Sequence, residues 1–250
     1  MIRKQAIIAA STFLGVVLLW EVLAKFEIYN TILLPPPSAS IPALGELWRD
    51  GLLSADLKAS MARYIPGFII GSLIGVFAGV VTGISKNAGF VINPIFHYFR
   101  SIPPVALIPF VLVLLGISDI GKVCLVAWAC MFPVWLNTQA GIMQVPKEYL
   151  RAASVFGVNG IRRVVNVWLP CSLPHIVSGL RISVATGLFA LAAAEMFAAS
   201  SGVGFRIVYS HQLFQTDKMV GMILLLGFIA LFADLLLLVI SKKIARWEVQ

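Results

Sequence analysis

Few side chains in this 250-residue sequence are both polar and placed where they could act. Gly116-Ile-Ser-Asp-Ile-Gly121-Lys122-Val123 has the G-x-x-x-x-G-K spacing of a phosphate-cradling loop. Val123 stands where that loop needs the Ser or Thr that holds magnesium, and the stretch joins two apolar segments instead of following a strand. Nucleotide binding is rejected here, so any energy from ATP must come from another chain. His97, His175 and His211 are scattered and form no H-E-x-x-H or triad-like set. No metal ligands and no catalytic residues are expected. Cys124, Cys130 and Cys171 lie in apolar surroundings without C-x-x-C spacing, and read as small buried side chains. That leaves Arg100, Ser101 and Glu195, polar groups set inside long apolar stretches. An ionisable residue at such a place is a functional candidate by default. Arg100 either lines a polar path or snorkels to the membrane surface. Glu195 either lines a path or makes a structural ion pair or hydrogen bond with another span, and Asp234 reads as structural.

The elements that must carry these residues follow from composition. Hydrophobic residues make up 60% of the chain and charged ones only 12%, with a mean hydropathy of +0.95. A soluble domain carries about a quarter charged residues, so the bilayer is the expected solvent. A spanning helix needs about 20 mostly apolar residues. Six segments qualify: Ala6–Phe26, Tyr64–Ile84, Phe90–Leu115, Ile120–Met143, Ser172–Ala198 and Met219–Ser241. The first follows Arg3 and Lys4, yet it has no small-residue cleavage site and reads as a retained helix. With both termini inside, the inner side carries Arg3, Lys4, Lys86, Lys147, Arg151, Arg162, Arg163, Lys242, Lys243 and Arg246 against only Glu148 and Glu248. The outer side carries seven basic residues and six acidic ones. The rule that positive residues stay inside favours this orientation. The formal net charge of +8 is then an orientation signal and not a sign of nucleic-acid binding.

Residues 27–63 are expected to form an outer loop. Pro35-Pro36-Pro37 cannot be helix interior, and Ala43–Trp48 and Leu52–Met61 read as amphipathic helix on the outer surface. Gly67, Gly71, Gly75, Gly79 and Gly83 recur every fourth residue, which places them on one helical stripe. Such a stripe lets another helix backbone approach closely. Pro94, Pro103, Pro104 and Pro109 disturb the third span, with Arg100 and Ser101 at the break. Broken helices are a transporter feature.

The inner loop, Val145 to Pro170, is the most informative stretch. Pro146 suits the first turn of a helix and Glu148 complements its positive end. The helix runs through Arg151, Ala152 and Ala153 to about Phe156, and Gly157 to Gly160 stop it. A second short helix leads to Leu169-Pro170. The product is a helix–turn–helix with small residues, an aromatic tip and basic flanks, shaped to fit a groove on another protein.

Here the sequence resembles the permease subunits of bacterial ABC importers. Their inner loop reads E-A-A, three residues, G, nine residues, then I-x-L-P. This chain has Arg151-Ala152-Ala153, three residues, Gly157, nine residues, then Val167-Trp168-Leu169-Pro170. Arg151 replaces the usual Glu and Val167 the usual Ile, while the spacing is kept. Further segments resemble the subfamily that imports nitrate, aliphatic sulfonates, taurine and bicarbonate. They are Leu34-Pro35-Pro36-Pro37, the stretch from Arg100 to Pro104, Gly179-Leu180-Arg181, Ala194-Glu195, Gly202-Val203-Gly204-Phe205 and Arg246-Trp247. That subfamily also imports vitamin precursors (pyrimidines, riboflavin) and aromatic acids.

The resemblance implies an all-α integral membrane protein with six transmembrane helices, the type I importer permease fold, in the bacterial inner membrane. It implies a second copy of the chain, two ATPase subunits holding ATP and magnesium, and an external substrate-binding protein. Glu148, Arg151, Ala152, Ala153, Phe156, Gly157, Leu169 and Pro170 would couple to the ATPase. The substrate path would run between the two copies along the third and fifth spans, with Arg100, Ser101 and Glu195 as its polar candidates. An intramembrane enzyme or a passive channel are the remote alternatives. The first lacks converging catalytic residues and the second leaves the inner loop unexplained.

Overall fold

The computed structural model describes residues 2–244, and the side chains of residues 11–241. Arg246-Trp247 lies outside the described residues. In lipid, backbone polar groups must be satisfied within their own segment, and the apolar stretches accordingly become helices. In chain order these are α1 (Ile2–Lys25), α2 (Pro37–Arg49), α3 (Leu52–Ile84), α4 (Lys86–Arg100), α5 (Ile108–Leu115), α6 (Asp119–Met143), α7 (Lys147–Val155), α8 (Gly160–Arg163), α9 (Leu169–Ala198), α10 (Val203–Gln212) and α11 (Thr216–Ile244). A 3₁₀ turn, Pro104–Leu107, leads into α5, and a π-helical turn, Val164–Trp168, joins α8 to α9.

Four helical stretches among the described residues are long and apolar enough to cross a membrane: Leu52–Ile84, Asp119–Met143, Gly160–Ala198 and Thr216–Ser241. The pair Lys86–Arg100 and Pro104–Leu115 makes a fifth if counted together, bent by 85°. The expected third span is therefore two helices meeting at Ser101–Pro103. Pro103 and Pro104 supply no backbone donor there, so the turn cannot continue as α-helix. The expected first span lies in α1, which has 24 residues, about 36 Å at 1.5 Å per residue. Leu52–Met61 departs from expectation. It is no separate surface helix but the start of α3, continuous for 33 residues.

The core is a sandwich of α3, α6 and α9. Val126, Cys130, Val134 and Trp135 of α6 are fully buried. The glycine stripe of α3 faces α6 along its whole length. A Cβ at Gly67 would stand 2.7 Å from the Cβ of Val126, and one at Gly83 2.7 Å from that of Ile142. At Gly71 it would strike the carbonyl of Ala127, at Gly75 that of Met131, and at Gly79 the side chain of Thr138. From the other side, Gly179 and Gly187 of α9 meet Pro133 and Cys130 of α6. Pro133 gives no hydrogen bond to Ala129, and the freed carbonyl accepts from Thr186 Oγ1 at 3.4 Å. Trp135 Nε1 donates to Thr82 Oγ1 at 3.1 Å, satisfying the indole between helices.

Candidate functional site

The bend between α4 and α5 opens a cavity of about 570 Å³ against α6 and α9. Its walls are mostly apolar and aromatic, with Trp128 and Phe132 from α6 and Phe189 from α9. Among the described residues Arg100 is the one ionisable residue that lines it, at the last turn of α4. It makes no ion pair or hydrogen bond among the described residues. Asn137 and Thr186 add the other polar side chains, and each already donates to a backbone carbonyl. Ser101 lies beside the cavity and donates to the carbonyl of His97 at 3.0 Å. A mostly apolar cavity with one fixed cation is a chamber that an anion can enter without meeting a like charge.

Glu195 is elsewhere. It is only 1% exposed and accepts from Ser60 Oγ at 2.8 Å, Arg63 Nη1 at 2.9 Å and the amide of Gly204 at 3.0 Å. Arg63 also reaches Asp119 at 2.7 Å and the Ser201 carbonyl at 2.7 Å. Asp56 pairs with Arg206 at 2.6 Å and accepts from the Gly202 amide at 2.8 Å. Ser60 accepts from the Val203 amide at 2.9 Å. The first amides of α10 are thus capped by Asp56, Ser60 and Glu195, where a helix dipole favours negative charge. With Lys122 bonded to Asp119, three acids balance three bases. Glycine is required at the centre. Gly202 has φ +124°, and a Cβ there would fall on the Glu195 carboxylate, while one on Gly204 would strike the Ala192 carbonyl. Glu195 therefore holds α3, α9 and α10 together and is not among the residues that line the cavity. Lys122, the lysine of the phosphate-loop spacing, is buried and bonded to the Ser118 carbonyl. Arg181 forms a two-pronged pair with Asp234 of α11 at 2.8 and 2.9 Å.

At the far end of α9 stands the α7–α8 hairpin. From Leu169 to Glu195 is 27 helical residues, a rise of about 39 Å. The end of α7 is locked by two crossed bonds. Val158 N donates to the Ala153 carbonyl at 2.8 Å and Gly157 N to that of Ser154 at 3.1 Å, the Schellman cap. Its αL position is Gly157, φ +69°. Arg163 braces the turn, donating to Val158 O at 3.1 Å and to Ser154 Oγ at 2.8 Å. Ala153 packs inward, whereas Glu148, Arg151, Ala152 and Gly157 face out. Val155 and Phe156 are 85% and 82% exposed. Leu169 and Pro170 are half-buried where α9 begins. The capped helix thus ends in two bare apolar side chains.

Residues 71–246 match the family of the binding-protein-dependent transport system inner membrane component. The chain belongs to that family. It is a permease subunit of an ABC importer. It is 32% identical to the aliphatic sulfonates transport permease protein SsuC of Escherichia coli (strain K12), over 99% of this chain and 95% of that one. It is 28% identical to the taurine transport system permease protein TauC of the same strain, over 99% and 92%. It is 27% identical to the nitrate import permease protein NrtB of Synechocystis sp. (strain ATCC 27184 / PCC 6803 / Kazusa), over 73% and 66%. Inward-facing conformations of the MetNI methionine ABC transporter share the fold, with a TM-score of 0.69 at 18% identity over 79% of this chain and 98% of that one.

The permease's buried charge network escaped sequence reasoning. Asp56, Ser60 and Arg63 stand at i, i+4 and i+7, one face of a helix, and that spacing was the available signal. Their position in an apparent loop hid it. Among the described residues no group of three or more His, Cys, Asp or Glu could hold a metal ion.

Proposed function

We propose that two copies of this permease form the translocation path of an importer for a small organic or inorganic anion such as a sulfonate, taurine or nitrate. An external binding protein delivers the substrate, and two ATPase subunits, which bind ATP and magnesium, dock on the α7–α8 hairpins from the cytoplasm. The observation that carries this reading is the capped hairpin with its small outward residues and bare Val155 and Phe156. Closure of the ATPase pair draws the hairpins together, and α9 carries that motion toward its far end. Transport then alternates between states with different contacts. The substrate class draws support from the relatives' names and from Arg100, the lone charge of the cavity.

Gly157→Asp tests the docking role. Aspartate tolerates the αL conformation better than most side chains, so the cap survives while a charged group enters the docking face. The variant is expected to insert and dimerise normally, yet to lose co-purifying ATPase and substrate uptake. Normal uptake would overturn the assignment of the hairpin.

A further inference from the structure

A second cavity, about 590 Å³, lies at the hairpin end of the bundle, walled by the ends of α3, α4 and α6 and by α7 and Trp168. Lys86 and Lys147 both line it. Neither makes an ion pair or hydrogen bond among the described residues, and no acidic residue is part of the wall. Each is the first residue of its helix, so the positive ends of the α4 and α7 dipoles share one mouth. The other polar wall groups are Gln139, which donates to Asn93 at 3.0 Å, Thr82, which donates to the Ala78 carbonyl at 2.7 Å, and His97, whose ring lies edge-on to Trp135. Apolar Phe90 and Met143 line the same cavity and are 80% and 70% exposed. Two unpaired cations beside a bare apolar rim match a ligand with an anionic head and an apolar body. A soluble anion would leave the rim in water. A second copy of this chain would have to bring an acid, and among the described residues the hairpin offers only Glu148.

We propose that this cavity holds the headgroup of an anionic phospholipid, its phosphate between Lys86 and Lys147 and its acyl chains over Phe90 and Met143. Basic pockets between membrane helices take such headgroups. The lipid ties the span α4 to the docking helix α7, so the lipid of that leaflet bears on the hairpin's placement. The proposed function enters in naming that leaflet cytoplasmic and α7 the docking helix.

The test is lipid retention by the full-length permease purified with its ATPase, read by native mass spectrometry after exchange into phosphatidylcholine with or without phosphatidylglycerol. Wild type is expected to keep phosphatidylglycerol selectively. Lys86→Gln and Lys147→Gln should each weaken retention about fivefold and the double variant about thirtyfold, from the attraction of each basic residue for anionic lipid. Arg162→Gln, on the same side but outside the wall, should leave it unchanged. Equal retention by wild type and every lysine variant would overturn the proposal. So would displacement of the lipid by inorganic phosphate, which marks a soluble-anion site, or a cross-link from position 90 to a second copy, which marks an interface. Should the double variant fail to insert, the single variants carry the comparison. Retention is scored whether or not the ATPase stays bound, so loss of the ATPase counts against the docking role alone.

Discussion

Arg100 and Glu195 are both charges set in apolar sequence, and their surroundings give them opposite roles. Arg100 is unpaired at a cavity wall, so its charge is available to a passing solute. Glu195 is consumed by Ser60, Arg63 and the α10 amide of Gly204. Removing one member of a buried ion pair leaves the other charge uncompensated, at about 3 kcal/mol or more. Glu195→Gln is therefore expected to lower the melting temperature of the purified permease markedly. Arg100→Gln should leave melting unchanged and slow uptake of an anionic substrate. Equal melting of the two variants would refute the division of roles. The sequence marks both residues as unusual, since a charge in an apolar run is visible without a structure. What separates them is contact across more than 130 residues, with Ser60 and Arg63 on α3, and local sequence around Glu195 holds no trace of it.

At the scale of elements, the glycine stripe of α3 was legible as a packing face, because a repeat of four stays on one side of a helix. Its partner was not, since any apolar span offers a plausible face. The choice of α6 is written in complementary bulk, with Val126, Thr138 and Ile142 filling the spaces the glycines leave. The proline cluster likewise announced a break between α4 and α5 but not its angle of 85°, which depends on how α5 settles against α6 and α9. The true start of α3 was hidden because Asp56, Lys58 and Arg63 lower the hydropathy of a stretch whose charges are internally paired or lie at the end of the span. Overpacking a tight site costs about 1–3 kcal/mol. Gly75→Leu should thus destabilise the permease by at least that amount, because its Cβ alone meets Val134 at 2.8 Å. Gly227→Ala on α11, where a Cβ meets nothing within 4 Å, should not destabilise it, since Gly in a helix interior costs about 0.5–1 kcal/mol relative to Ala. Melting curves of the two variants measure the contrast.

The whole molecule divides into a densely packed part and a sparsely packed one. The α3–α6–α9 sandwich is joined by glycine contacts along its length and is locked at one end by the network around Arg63 and Glu195. At the other end, α8 passes through a π-helical turn into α9, and such turns recur at functional sites. In the bent segment from Arg100 to Ile108 only Ile108 is fully buried, packed with Leu125, Ala193 and Ala194. Its 3₁₀ turn, Pro104–Leu107, contains no fully buried residue, and the cavity lies on its flank. Motion that opens and closes a path should concentrate where packing is sparse. Hydrogen exchange on the assembled transporter, with and without a non-hydrolysable ATP analogue, is expected to change at residues 101–108 and 156–168. The amides of α6 from Val126 to Trp135 should remain the slowest in both states. Exchange that instead shifted within α6 while the bent segment stayed constant would mean that the sandwich itself yields. In that case the glycine contacts between α3 and α6 would form a sliding surface and not a weld.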